Sequence, residues 1–288
     1  MPPLLAIVGV TASGKSTLAM DLARRFNGEI VCADSWTVYR GFDIGTAKPT
    51  ADDRTEIPHH LLDVADPSEG FSAALFKELA GLAVRDISRR GRLPILVGGT
   101  GLYVDSLLYD YSFLPPSDPE YRTKLNAMDL EQLLVLANKL ELGTDSIDQR
   151  NKRRVIRLIE NNGRLPTRRN IRKNTLLLGA ASDPSELRLR VIQRINGMIR
   201  QGLEREVSGL VVRYGWNVEP MKGIGYREWR NYFAGMQSIV ETEDQIISST
   251  MGLAKRQRTW LKRNGDINWS SERSYFEDVL TTFLNKTN

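Results

Sequence analysis

Short apolar runs recur along the chain at residues 4–8, 29–33, 93–97 and 176–180. The first three stop at Gly9, at Asp34-Ser35 and at Gly98-Gly99-Thr100-Gly101. Runs of this length bounded by turn residues read as buried strands. Between them the period changes. Residues 16–26 carry Leu18, Ala19, Leu22, Ala23 and Phe26 at helical spacing, and residues 72–90 place Leu75, Leu79, Leu82, Ala83 and Ile87 on one face. Strands alternating with helices predict an α/β fold with a parallel sheet covered on both faces. Residues 115–166 break the rhythm. They open on Leu-Pro-Pro-Ser-Asp-Pro and then carry only helical pattern, at 120–142 and 148–161. This predicts a helical insert over residues 115–165 that divides a core of residues 1–114 and 166–288. Asp183 is placed to cap a helix with Pro184 in its first turn, and the pattern runs on past Gly202.

Composition narrows the class. Hydrophobic residues make up 41% of the 288, enough for a sizeable core. The single cysteine, Cys32, excludes an internal disulfide framework and a cysteine-built zinc site. A reducing, cytoplasmic setting is expected. The start, Met1-Pro-Pro-Leu-Leu-Ala, shows no basic leader and no run long enough for a span, so no membrane role is expected. The net charge is +5, yet residues 150–173 alone carry +9, from Arg150, Lys152, Arg153, Arg154, Arg157, Arg164, Arg168, Arg169, Arg172 and Lys173 against Glu160; the remainder is −4. One intensely basic segment on a mildly acidic body points to a docking polyanion, with a solvated helix face as the alternative.

The clearest chemistry lies at Gly9-Val10-Thr11-Ala12-Ser13-Gly14-Lys15-Ser16, which matches G-x-x-x-x-G-K-[ST] between a predicted strand and a predicted helix. Glycines let backbone N–H groups converge on phosphate oxygens, and the helix start adds its positive end. Lys15 can neutralise phosphate charge, and Ser16 can ligate a magnesium ion. Phosphate binding does not by itself mean ATP hydrolysis. The strand at 93–97 ends in Gly-Gly-Thr with no carboxylate for magnesium, although Asp34, Asp63 and Asp66 also follow apolar stretches.

Further blocks carry a resemblance. They are Ala33-Asp34-Ser35, Val38-Tyr39-Arg40-Gly41 and Asp43-Ile44-Gly45-Thr46-Ala47-Lys48-Pro49, then Pro58-His59-His60-Leu61-Leu62-Asp63 and Val97-Gly98-Gly99-Thr100-Gly101-Leu102-Tyr103. Met221-Lys222-Gly223-Ile224-Gly225-Tyr226-Arg227 and Ala254-Lys255-Arg256-Gln257 with Thr259-Trp260 follow. In this order, and with Thr11-Ala12-Ser13 inside the phosphate loop, they resemble the tRNA dimethylallyltransferases over nearly the whole chain. After Glu160 the chain has Asn161-Asn162-Gly163-Arg164-Leu165-Pro166 where the family usually has Ser/Thr-Gly-Lys-Pro-Leu.

The resemblance implies a three-layer core like that of P-loop kinases, holding dimethylallyl diphosphate in place of ATP. It also implies a helical insert gripping the anticodon arm, magnesium as cofactor, and prenylation of the exocyclic amine of the adenosine 3′ to the anticodon. A monomer is expected. By resemblance Asp34 is the general base, Thr100 lies in the reaction channel, and Arg194 joins Lys15 and the loop on the diphosphate. The same match assigns tRNA contact to Asp34, Ser35, Trp36, Thr37, Thr100, Arg122, Gln149, Arg150, Asn151, Lys152, Arg153, Lys222, Gly223, Ile224, Gly225, Tyr226 and Arg227. From the residues alone, alternatives stay open: Asp34 as a kinase-like magnesium acid, Thr100 as a turn residue, Arg190 as a surface ion pair, and Gly223 and Gly225 as tight-turn residues. His59 and His60 read as structural, and Trp229, Tyr232 and Phe233 as core. The rival functions are a small-molecule P-loop kinase, an adenylate isopentenyltransferase and a non-catalytic RNA-binding protein.

Overall fold

Leu4–Val8 forms β1 because five consecutive apolar residues, none more than 1% exposed, are sealed between neighbouring strands on both sides. The computed structural model describes residues 1–115 and 118–287. Part of the Leu-Pro-Pro-Ser-Asp-Pro stretch therefore lies outside the described residues. In chain order β1 is followed by α1 (Lys15–Arg25), β2 (Gly28–Ala33), α2 (Ala51–Glu56), β3 (His59–His60), α3 (Ala73–Arg89), β4 (Leu93–Gly98) and α4 (Gly101–Leu108). Then come α5 (Pro119–Ala127), α6 (Leu130–Lys139), α7 (Lys152–Glu160), β5 (Thr175–Ala180), α8 (Pro184–Gln201) and α9 (Leu203–Tyr214). The chain closes with α10 (Trp229–Phe233), α11 (Ile239–Leu261), β6 (Asn268–Ser270) and α12 (Arg273–Thr287).

Two compact units result: Met1–Leu108 with Ile171–Asn288, and Tyr109–Asn170. In the first, all strands pair in parallel in the order β3-β2-β4-β1-β5-β6, with Ile7 opposite both Val97 and Leu178. One core, with Leu5, Ile7, Leu22 and Ile95, packs α1 and α12 on the sheet; the other gathers Val38, Phe42, Val191, Ile195, Trp229 and Ile246. β1 runs between β4 and β5, so its carboxyl end opens among the loops that leave those strands, where open α/β sheets place ligands.

The second unit has its own core of Leu125, Leu133, Ala137, Val155, Ile156 and Ile159. The helical run at 120–142 is two helices. Asp129 interrupts it, capping α6 through Gln132 N–H while the Gln132 side chain answers from the other direction. Two further readings need correction. On α3 the buried stripe is Phe76, Ala80, Val84 and Ile87, whereas Leu75 and Leu82 are exposed; the aromatic ring of Phe76 stacks on Tyr103 and sets the rotation. The helix from Pro184 does not continue through Gly202, whose φ of 98° ends α8 and starts α9.

Candidate functional site

Three loops carry the predicted chemistry, each leaving the carboxyl end of a neighbouring strand. After β1, Ala12 and Gly14 take positive φ values of 60° and 85°. Only glycine adopts the second without strain, and the turn aims the first amides of α1 into the loop. No side chain caps α1 and no acid lies in its first turn, so the helix start keeps its full positive character.

The side chains beside it are also short of negative charge. Lys15 Nζ donates to the Val10 carbonyl at 3.3 Å. Its pKa is pushed down to about 8, first by burial and then by repulsion from Arg194, with Asp34 opposing. Arg194, on α8, donates to Thr11 Oγ1 at 3.4 Å and to the Thr46 carbonyl at 3.5 Å, both long bonds. Burial lowers its pKa too. Ser13 Oγ is buried without a hydrogen-bond partner among the described residues. Two crowded cations, bare helix amides and an orphaned hydroxyl form a cradle that an anion of diphosphate type would satisfy.

Asp34 stands at the end of β2. Its Oδ1 accepts the Trp36 N–H at 2.9 Å, and Oδ2 has no hydrogen bond among the described residues. Thr100, after β4, accepts the Ser35 N–H at 3.1 Å and donates to Ser35 Oγ at 3.4 Å. The carboxylate therefore rests on a turn whose shape Thr100 fixes. Thr37 is buried and donates to the Asp34 carbonyl at 3.4 Å. Arg194 also lines a cavity of about 640 Å³ between the 43–51 loop and α8, with Ile44, Ala47, Pro49 and Met198 in its walls.

Other assigned residues fall in different settings. Tyr226 is 1% exposed and its hydroxyl donates to Glu206 at 2.8 Å, so its side chain is a core strut and not an RNA contact. Gly225 turns with φ 90°, and its N–H donates to Glu228 at 2.9 Å. Lys222 pairs with Glu219 and Arg190 with Glu186. Trp229 is fully buried as expected, but Phe233 is 40% exposed. His59 bonds the Ile57 carbonyl and His60 the buried Glu29 carboxylate, both structural. Asp63 and Asp66 are taken by Lys48 and Arg54 and by Ser68 and Arg40.

In the second unit the basic segment is not one uniform face. Arg150 precedes α7, where Asn151 caps the Arg154 N–H, and Gln149 bonds Thr144 and Asp145. Arg122 and Arg157 both pair with the buried Glu160 carboxylate, Arg157 also donates to the Leu114 carbonyl, and Lys152 donates to the Asn126 carbonyl. Arg153 and Arg154 are exposed, opposite buried Val155, Ile156 and Ile159.

Sequence reading missed Glu206 and gave no role to Lys48 and Gln257, the residues that hold the site together. The Glu206 carboxylate accepts the N–H groups of Asp43, Ile44 and Gly45 at 3.1, 2.7 and 3.1 Å, a nest that shapes the 43–49 block. Lys48 is buried against the Tyr39 carbonyl, Asp43 and Asp63. Gln257 bridges the phosphate loop and the 98–101 turn. For Glu206 the available signal was its place within the stripe of Leu203, Val207 and Leu210, which are buried.

The pattern of the IPP transferase family matches residues 37–264. The chain is 40% identical over 284 residues to the tRNA dimethylallyltransferase of Pediococcus pentosaceus, covering 93% of this chain and 91% of that protein. It superposes on the full-length tRNA isopentenylpyrophosphate transferase of Bacillus halodurans with a TM-score of 0.78 at 34% identity, covering 100% of this chain and 98% of the other. A eukaryotic dimethylallyltransferase acting on tRNA aligns with a TM-score of 0.77 at 26% identity, over 93% of this chain and 73% of its own.

Proposed function

The chain belongs to the IPP transferase family, and on that premise we propose that it moves a dimethylallyl group from dimethylallyl diphosphate to the N6 amine of the adenosine 3′ to the anticodon of tRNA. It is a tRNA-modifying transferase. The observation that carries the donor assignment is the pair of crowded cations Lys15 and Arg194 with the unpartnered Ser13 hydroxyl, set beside an Asp34 carboxylate whose Oδ2 has no hydrogen bond among the described residues.

The chemistry follows from that pairing. An exocyclic adenine amine is a weak nucleophile, because its lone pair is delocalised into the ring. As N6 bonds to C1 of the prenyl group, the C1–O bond breaks and its electrons pass to the diphosphate. Lys15, Arg194, the amides at the start of α1 and Ser13 Oγ meet that growing charge. Asp34 Oδ2 takes the amine proton, and Thr100 keeps the carboxylate turn in place through Ser35. Magnesium, when bound, supplies further neutralisation of the diphosphate. The Ser16 hydroxyl is exposed in the first turn of α1, and among the described residues no cluster of His, Cys, Asp or Glu could hold a metal alone. Ser16 is the residue that would hold the ion beside the diphosphate.

The exposed cations Arg150, Arg153 and Arg154 suit phosphates of an anticodon stem. No helix among the described residues is long and apolar enough to cross a membrane. We assign the activity to a monomer in the cytoplasm. The test is incubation with labelled dimethylallyl diphosphate or ATP and with bulk tRNA or AMP. Label passing from the prenyl donor to tRNA alone supports the reading. Transfer to AMP, or phosphoryl transfer from ATP, overturns it.

A further inference from the structure

α11 presents Gln257 and Trp260, three residues apart on one helical face, to the 98–101 turn. A Cβ on Gly99 would collide with the Gln257 amide and come within 3.3 Å of the Gly9 carbonyl. A Cβ on Gly101 would lie 2.5 Å from the Trp260 indole, whose Nε1 donates to Asp105 at 3.2 Å. Gly99 and Gly101 thus admit α11 side chains.

The Gln257 amide then does two things at once. Its Oε1 accepts the Thr11 N–H of the phosphate loop at 2.8 Å, and its Nε2 donates to the Gly99 carbonyl at 3.0 Å. Only one orientation of the amide satisfies both partners. Each partner adjoins a residue already placed in the site. Thr11 accepts from Arg194, and Gly99 precedes Thr100, which holds Ser35 beside Asp34.

We propose that Gln257 is a positioning residue, which joins the phosphate loop to the Gly99–Thr100 turn and so sets the spacing between the donor's diphosphate and the acceptor-side carboxylate. The assignment rests on the donor and acceptor reading above. Gln257 touches neither substrate in this scheme. Its contribution is the alignment that in-line attack requires, with reacting atoms about 3–3.5 Å apart.

The test compares Gln257→Met, of similar length with no hydrogen-bonding amide, and Gln257→Glu, which keeps the acceptor for Thr11 but sets a carboxylate against the Gly99 carbonyl. Steady-state transfer is measured with dimethylallyl diphosphate and an anticodon stem-loop, together with thermal melting of each variant. The Met variant is expected to lose about 30-fold in kcat, which is about 2 kcal/mol at 1.4 kcal/mol per tenfold, with both KM values little changed. The rate of the Gln257→Glu variant relative to wild type should climb as the pH is lowered into the carboxyl range, because the introduced carboxyl group, once protonated, can donate to the Gly99 carbonyl again. A purely structural residue would show no such pH-dependent ratio. Wild-type kcat in the Met variant, a loss confined to donor KM, a pH-independent ratio for the Glu variant, or collapse of folding in both variants overturns the proposal. Absence of transfer by the wild-type protein would defeat the functional reading instead.

Discussion

Replacing Lys15 with methionine separates what the phosphate site costs the empty protein from what it does for the donor. The Lys15 pKa falls from the ordinary 10.5 to about 8, because burial strips the ammonium of water and Arg194 adds repulsion that Asp34 only partly offsets. The sign follows. Below pH 8 the amine is charged in both the folded and the unfolded chain, and the folded state carries the whole penalty. Above 10.5 it is neutral in both, and the penalty is gone. The gap corresponds to about 3 kcal/mol, an upper bound that water reaching the partly buried amine reduces. Methionine keeps the apolar stem and removes the charge. Without donor, Lys15→Met should therefore be more stable than wild type by about 1–3 kcal/mol at pH 7 in urea denaturation. That advantage should shrink as the pH rises from 8 towards 10.5. Calorimetry should show weakened diphosphate binding, and transfer should fall about 10²–10³-fold. A variant less stable than wild type at pH 7, or one that binds diphosphate normally, would refute the account of a cradle held short of negative charge.

Asp34→Asn retains the oxygen that accepts the Trp36 N–H, so folding and separate binding of donor and tRNA should survive while turnover drops about 10²–10⁴-fold; collapse of donor and magnesium binding with normal residual chemistry would make Asp34 a metal ligand instead. Replacing the exposed Arg150 and Arg154 with glutamine should weaken all tRNAs alike and flatten the log–log salt dependence by roughly 0.7–0.9 per lost phosphate contact. An unchanged salt slope would return this segment to the status of a solvated face. Glu206→Ala leaves the N–H groups of Asp43, Ile44 and Gly45 without their acceptor, and a loss of about 2–3 kcal/mol in thermal or chemical denaturation is expected.

Much of this protein was legible one segment at a time. β1 falls on the apolar run at 4–8, and the other predicted strands differ from the observed ones by a residue at an end. The cap read at Asp183 falls where its side chain reaches the Ser185 N–H. The glycine pattern at 9–16 could be read from the sequence because its chemistry is local: consecutive amides, two residues with positive φ and the first turn of a helix. Errors arose where neighbours in space outvoted neighbours in sequence. The buried α3 stripe carries Phe76 stacked on Tyr103, and Arg157, counted in the basic segment, pairs with the buried Glu160.

The sequence by itself determined the four apolar strands, the helices with a clear apolar stripe, the phosphate-loop pattern and the presence of a basic segment, because each depends on residues within a few positions of one another; the short β3 and β6 carry no such pattern. The tertiary structure alone decided the strand order β3-β2-β4-β1-β5-β6, which brings the ends of β1, β2 and β4 together. It also placed Arg194 on Thr11, 183 positions away, and Gln257 on the same residue, 246 positions away. The reason is physical. Periodicity reports which face of an element is buried, but not what it is buried against. A hydrogen bond between segments so distant exists only once packing has fixed both backbones.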